Sequence, residues 1–160
     1  MAKLSWGHIN LNVTDLDASV DFYDRLGFEV FMPAIPYLGL SIEGGELGAE
    51  MAKALALPPG FRGRACIMQL GSTFPKLDLT EWADGAMIPA GANGETGLVR
   101  LCLASQDVHR DYAELTAAGV AFVSEPQPGE NGMADVALCR DPDGNLVELI
   151  QVYLDRWPRG

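Results

Sequence analysis

Residues Trp6 to Val13 alternate strictly. Ile9, Leu11 and Val13 are apolar, while His8, Asn10 and Asn12 are polar. A period of two predicts a half-buried strand. Its polar face carries an imidazole and two amides instead of the usual surface charges. The pattern then changes to helical spacing. Leu16, Val20, Tyr23 and Leu26 form one apolar stripe, Thr14 and Asp17 form a T-x-x-D start, and Gly27 stands where a left-handed stop is needed. Phe28 to Met32 reads as a strand interrupted by Pro33 and Pro36, and Tyr37 to Ile42 as another, closed by Gly44-Gly45. Glu46 to Leu57 has the composition of a short helix, stopped by Pro58-Pro59-Gly60. Arg64 to Leu70 and Lys76 to Trp82 read as strands.

The Gly- and Ala-rich stretch 83–96 reads as a linker, and beyond it the pattern restarts. Leu98 to Ala104 is a predicted strand. Asp107 to Ala118 is a predicted helix with Val108, Tyr112 and Leu115 on one face and Gly119 as its stop. Val120 to Val123 reads as a strand, and Glu125 to Gly132, with Pro126 and Pro128, as a loop. Met133 to Cys139 and Asn145 to Tyr153 read as strands, joined by Asp141-Pro142-Asp143-Gly144, a sequence suited to a type I turn.

The restart is a repeat. At an offset of 92 residues Leu11 falls on Leu103, Asp15 on Asp107, Leu16 on Val108 and Gly27 on Gly119. The last strands match as Leu77-Asp78-Leu79 and Val147-Glu148-Leu149. His8 and Asp78 are 70 residues apart and Arg100 and Glu148 are 48 apart; most of the 22-residue difference falls within Gly44 to Gly63. The expected architecture is a single α+β domain over 1–160, made of two βαβββ modules at 4–82 and 97–154.

The sequence HINLNVTDLDASVDFYDRLGFEV resembles the opening module of the vicinal oxygen chelate superfamily, the glyoxalase I, bleomycin-resistance and extradiol-dioxygenase group. VALCRDPDGNLVELIQ resembles its closing strand pair. The resemblance implies paired incomplete β-barrels around a cup, frequent dimers, and four metal-binding side chains, one from the first and one from the last strand of each module. Carried over residue by residue, those positions are His8, Asp78, Arg100 and Glu148. A lyase, isomerase or dioxygenase acting on a small organic molecule with adjacent oxygens is the implied enzyme. A metal-free binding or sequestering protein of the bleomycin-resistance type is the implied alternative.

Arg100 departs from the family pattern, which usually has His there and Glu where Asp78 stands. A guanidinium has no lone pair to give a metal and keeps its proton. His8, Asp78 and Glu148 remain as ligands for one divalent ion. Alternatively, Arg100 itself supplies the positive charge that offsets the carboxylates and grips an anionic substrate. Glu148 and Arg100 are the expected catalytic pair, and Asn10, Asn12, Arg100 and Cys102 the expected substrate contacts.

Composition narrows the partners. Eleven Lys and Arg against twenty-two Asp and Glu give a net charge of −11, which disfavours nucleic acid and anionic membranes. No apolar run reaches the length of a membrane span. Three scattered cysteines without a CxxC argue against a disulfide framework, and the start MAKLSWGHIN has no apolar signal core. The expectation is a cytoplasmic homodimer whose ligand is a small molecule.

Overall fold

The structure, a computed structural model, describes residues 3–83, 85, 94 and 96–158. The chain divides into two compact units, Met1–Ile88 and Pro89–Gly160. The 83–96 segment lies for the most part outside the described residues. The chain is α+β, with short helices against open sheets.

In the first unit β1 (His8–Asn12) leads into α1 (Leu16–Arg25) and β2 (Glu29–Met32). The short strands β3 (Ala34–Ile35), β4 (Leu40–Ser41) and β5 (Gly45–Glu46) follow, then helix α2 (Ala49–Ala54) and the long strands β6 (Arg62–Gln69) and β7 (Lys76–Trp82). The sheet order is β1-β7-β6-β2, with β5 added on β6 and β3-β4 forming a separate ribbon. β1 runs parallel to β7 and pairs Asn10 with Asp78. The second unit holds β8 (Arg100–Ala104), α3 (Val108–Ala117), β9 (Phe122–Pro128), β10 (Ala134–Arg140) and β11 (Leu146–Val152) in the order β8-β11-β10-β9. β8 runs parallel to β11 and pairs Cys102 with Glu148.

Sheet pleating sends alternate residues to opposite faces. In each unit one face packs on the helix. Val108, Ala137 and Leu149 are buried together there in the second unit, with Leu103, Leu115 and Phe122 against them. In the first, α1 buries Leu16, Ser19, Phe22 and Tyr23, while Val20 and Leu26 are only half-buried. The apolar stripe is therefore rotated from the predicted one. On α3 Val108 is buried, and Tyr112 and Leu115 are half-buried.

Several local expectations are corrected. The N-cap of α1 is Asp15, whose Oδ1 accepts the Ala18 N–H at 3.0 Å, and the T-x-x-D start at Thr14 is not the cap. Asp107 does the same for Arg110 in α3. Tyr37 to Ile42 is not one strand. Pro36 opens a 3-10 turn over Pro36–Leu38, and Gly39 at φ 70° ends it before β4. The predicted helix over Glu46–Leu57 shrinks to Ala49–Ala54. Residues 125–128 are strand rather than loop: β9 runs through Pro126 and Pro128. It is the edge of its sheet, where a missing N–H costs no ladder bond.

Candidate functional site

The polar face of β1 lies beside that of β7. Parallel register places His8 by Lys76, Asn10 by Asp78 and Asn12 by Thr80, and the side chains then bond one step diagonally. Thr80 Oγ1 donates to Asn10 Oδ1 and Trp82 Nε1 to Asn12 Oδ1, both at 3.2 Å. Asn10 Nδ2 donates to Asn12 Oδ1 at 3.1 Å. His8 Nδ1 stands 3.7 Å from Asp78 Oδ2.

Asp78 is the unusual member of this row. Its side chain is 2% exposed. Oδ2 faces His8 and takes a long 3.5 Å contact from the Tyr37 hydroxyl, while Oδ1 is buried with no hydrogen-bond partner. Burial pushes the carboxyl above the ordinary aspartate range, and His8 and Tyr37 pull it back in part. Burial, and then the Asp78 charge, likewise raises the Tyr37 phenol. The segment that makes the first module longer contributes to this burial. Leu47 and Ala52 join Ile35, Leu38 and Leu40 in one cluster with Ala65, and Ile67 and Trp82 pack on it. Ile67 is paired with Asp78 and Ala65 with Thr80, so the cluster lies on the Asp78 face of the sheet.

Lys76 is a further member that pattern reading passes over. It is buried on the same face, with Nζ 4.8 and 5.1 Å from the Phe31 and Phe74 ring centres and donating to Gln69 Oε1 at 2.6 Å. Gln69 donates in turn to Glu29 Oε1 at 2.6 Å. A lysine opening a strand otherwise dominated by apolar and acidic residues is the signal that could have flagged it.

The second unit repeats the diagonal with different chemistry. Arg100 takes the place of His8 and Glu148 that of Asp78, and Arg100 Nε donates to Glu148 Oε2. Cys102 takes the place of Asn10, and its Sγ donates to Glu148 Oε1 at 3.5 Å. Arg100, Cys102 and Glu148 are thus brought together, as are His8, Asn10, Asn12 and Asp78 in the first unit. Burial, and then the neighbouring Glu148 charge, pushes the Cys102 thiol up to about 11. His109 sets Nε2 3.1 Å from Asp135 Oδ2, which also accepts the Tyr153 hydroxyl at 2.9 Å.

The implied divalent ion can be tested against these donors. His8 and Asp78 fit: an imidazole stands beside a carboxylate whose second oxygen is an orphan. The second unit does not fit. Both Glu148 oxygens already accept a donor, and Arg100 has nothing to ligate with. Among the described residues no group of three His, Cys, Asp or Glu side chains stands together as a metal-ligand set.

A repeated sheet with a helix on one face and paired polar residues on the other defines a class of fold. The family model of the Glyoxalase/Bleomycin resistance protein/Dioxygenase superfamily matches residues 5–149, and the chain belongs to that superfamily. It is 26% identical to a probable lactoylglutathione lyase of Vibrio cholerae over 145 residues, 90% of this chain and 88% of that protein. It is also 26% identical to a lactoylglutathione lyase of Pseudomonas aeruginosa over 161 residues, 94% and 84% of the two chains. Among solved structures, a glyoxalase family protein from Bacillus cereus superposes with TM-score 0.76 at 17% identity, covering 95% of this chain and 96% of that one. Glyoxalase I from Zea mays superposes with TM-score 0.64 at 22% identity over 90% of this chain and 43% of that one. Among the described residues no helix is long and apolar enough to cross a membrane.

Proposed function

We propose that the chain is a lyase or isomerase for a small organic substrate with adjacent oxygens, and that Asp78 moves the proton. The observation that carries this is the Asp78 carboxyl: buried, raised in pKa, one oxygen facing His8 and the other unpartnered. Such a group is costly to keep unless it works, because an unsatisfied buried acceptor destabilises the fold by about 1–3 kcal/mol. A raised carboxyl pKa also suits general acid–base work near neutral pH. The relatives named as lactoylglutathione lyases support a thioester or 2-oxoaldehyde substrate as the first to try.

The test is proton exchange. Purified protein is incubated in deuterated buffer with lactoylglutathione, and separately with 2-oxoaldehydes and 2-hydroxyketones. Deuterium entering next to the carbonyl is read by NMR. Wild type should exchange at least one of these and Asp78→Asn none. Binding without exchange in any of them favours the second reading, a metal-free binding or sequestering protein. One observation supports that reading: Glu148, the expected catalytic carboxylate, is already engaged by Arg100 and Cys102. Either protein is proposed to be a cytoplasmic homodimer. The strands left at the edges of their own sheets support dimerisation, since exposed edges invite pairing.

A further inference from the structure

The carboxylate pairs of the two units are built alike and differ in what they can accept. In the first unit the partner is an imidazole, whose bare ring nitrogen has a lone pair to give, and one Asp78 oxygen has no hydrogen-bond partner. In the second the partner is a guanidinium, a cation with no lone pair to give. Glu148 is only 12% exposed. Its Oε2 accepts from Arg100 and its Oε1 from the Cys102 thiol at 3.5 Å. A divalent ion reaching Glu148 would have to share the carboxylate with both of these donors. It would also have to sit next to a permanent positive charge, which repels it.

We infer that Arg100 is a resident cation that closes Glu148 to metal, so that this chain does not use the Glu148 ligand position of its superfamily. The inference rests on the second unit alone and is independent of the reaction proposed above. Arg100 contributes a single fixed charge, and Cys102, two residues further along β8 and on the same face, donates to the other carboxylate oxygen.

The experiment reads metal binding and not turnover, so it fails separately from the proton-exchange assay. Protein purified without a histidine tag is stripped with chelator and titrated with Zn²⁺, Ni²⁺ or Mn²⁺, following heat release and melting temperature. Wild type and Glu148→Gln should give the same titration, whether flat or reporting an ion held elsewhere. Arg100→Ala should gain a saturable rise in melting temperature with ion, and the double variant with Glu148→Gln should lose it. Arg100→Gln takes the place of Arg100→Ala if the latter does not fold. Two results overturn the inference: wild type binding an ion less tightly once Glu148→Gln is introduced, and neither Arg100 variant gaining any ion-dependent shift.

Discussion

The Glu81 carboxylate accepts the backbone N–H of Leu16 at 2.6 Å, closing the first turn of α1 from a strand 65 residues away. Gln151 accepts the N–H of Val108 at 3.0 Å and closes α3 in the same way. Glu81 lies three residues after Asp78, and Gln151 three after Glu148. Each module thus ties its helix start to the strand that carries its carboxylate. Arg64 reinforces the first tie, reaching Glu81 Oε2 at 3.4 Å and both Asp17 oxygens at 3.0 Å.

These ties should be worth roughly what a helix cap is worth. Glu81→Ala and Gln151→Ala are each expected to cost about 1 kcal/mol. The loss would be read as a lower midpoint in urea denaturation with an unchanged slope. Equal stability of wild type and both variants would mean that the bonds carry no free energy.

The repeat explains how much of this was legible. Helix ends are local, so Asp107, Gly27 and Gly119 could be read from composition and spacing, whereas at α1 the T-x-x-D pattern pointed to Thr14 in place of the capping Asp15. Aligning the last strands matched Asp78 to Glu148, and the family resemblance marked both as site positions. The caps were also within reach, since Glu81 and Gln151 are polar residues on otherwise apolar faces at matching positions. What pattern cannot supply is the diagonal by which Thr80 meets Asn10 and Trp82 meets Asn12, because sheet register is set by tertiary pairing. It also misplaces β9, since prolines argue for a loop unless the strand is known to be an edge.

Asp78 should be held in place at a cost to stability. Its pKa is higher folded than unfolded, so the fold is penalised once pH rises from the unfolded value of 3.8 through the folded one. Asp78→Asn has no such titration. The variant should therefore melt at the same temperature as wild type in acid, then pull ahead as pH rises. The gain near neutral pH is expected to be about 1 kcal/mol, or a few degrees. Melting curves from pH 4 to 8 that run parallel for the two proteins would remove the basis for treating Asp78 as strained toward function.

The turn into β5 allows no side chain at Gly45. A Cβ built there would lie 2.1 Å from the Gly39 carbonyl oxygen and 3.1 Å from Leu40 Cα. Backbone on both sides must move to admit it, and overpacking of this kind costs about 1–3 kcal/mol. Gly45→Ala should unfold at lower denaturant than wild type, whereas Gly48→Ala, with nothing within 4 Å, should change little by this test. If both variants behave alike, steric room is not the reason for glycine at 45.

Cys102 gives a chemical readout of the carboxylate it touches. All three thiols are pushed up to about 11 from 9.0, Cys66 and Cys139 first by burial and Cys102 first by burial and then by Glu148. Two units of pKa mean about a hundredfold less thiolate at a given pH, and it is the thiolate that reacts. Cys102 is exposed, whereas the other two are buried. A disulfide reagent at pH 8 should therefore label the folded chain slowly and at Cys102 first. Glu148→Gln removes the charge that opposes the thiolate and leaves Arg100, which favours it, in place. Labelling of Cys102 should then speed up, while the buried pair stays slow until the protein unfolds. Arg100→Ala should act the other way, slowing Cys102 further. A Glu148→Gln protein that labels at the wild-type rate would show that the Cys102 thiol does not sense the carboxylate.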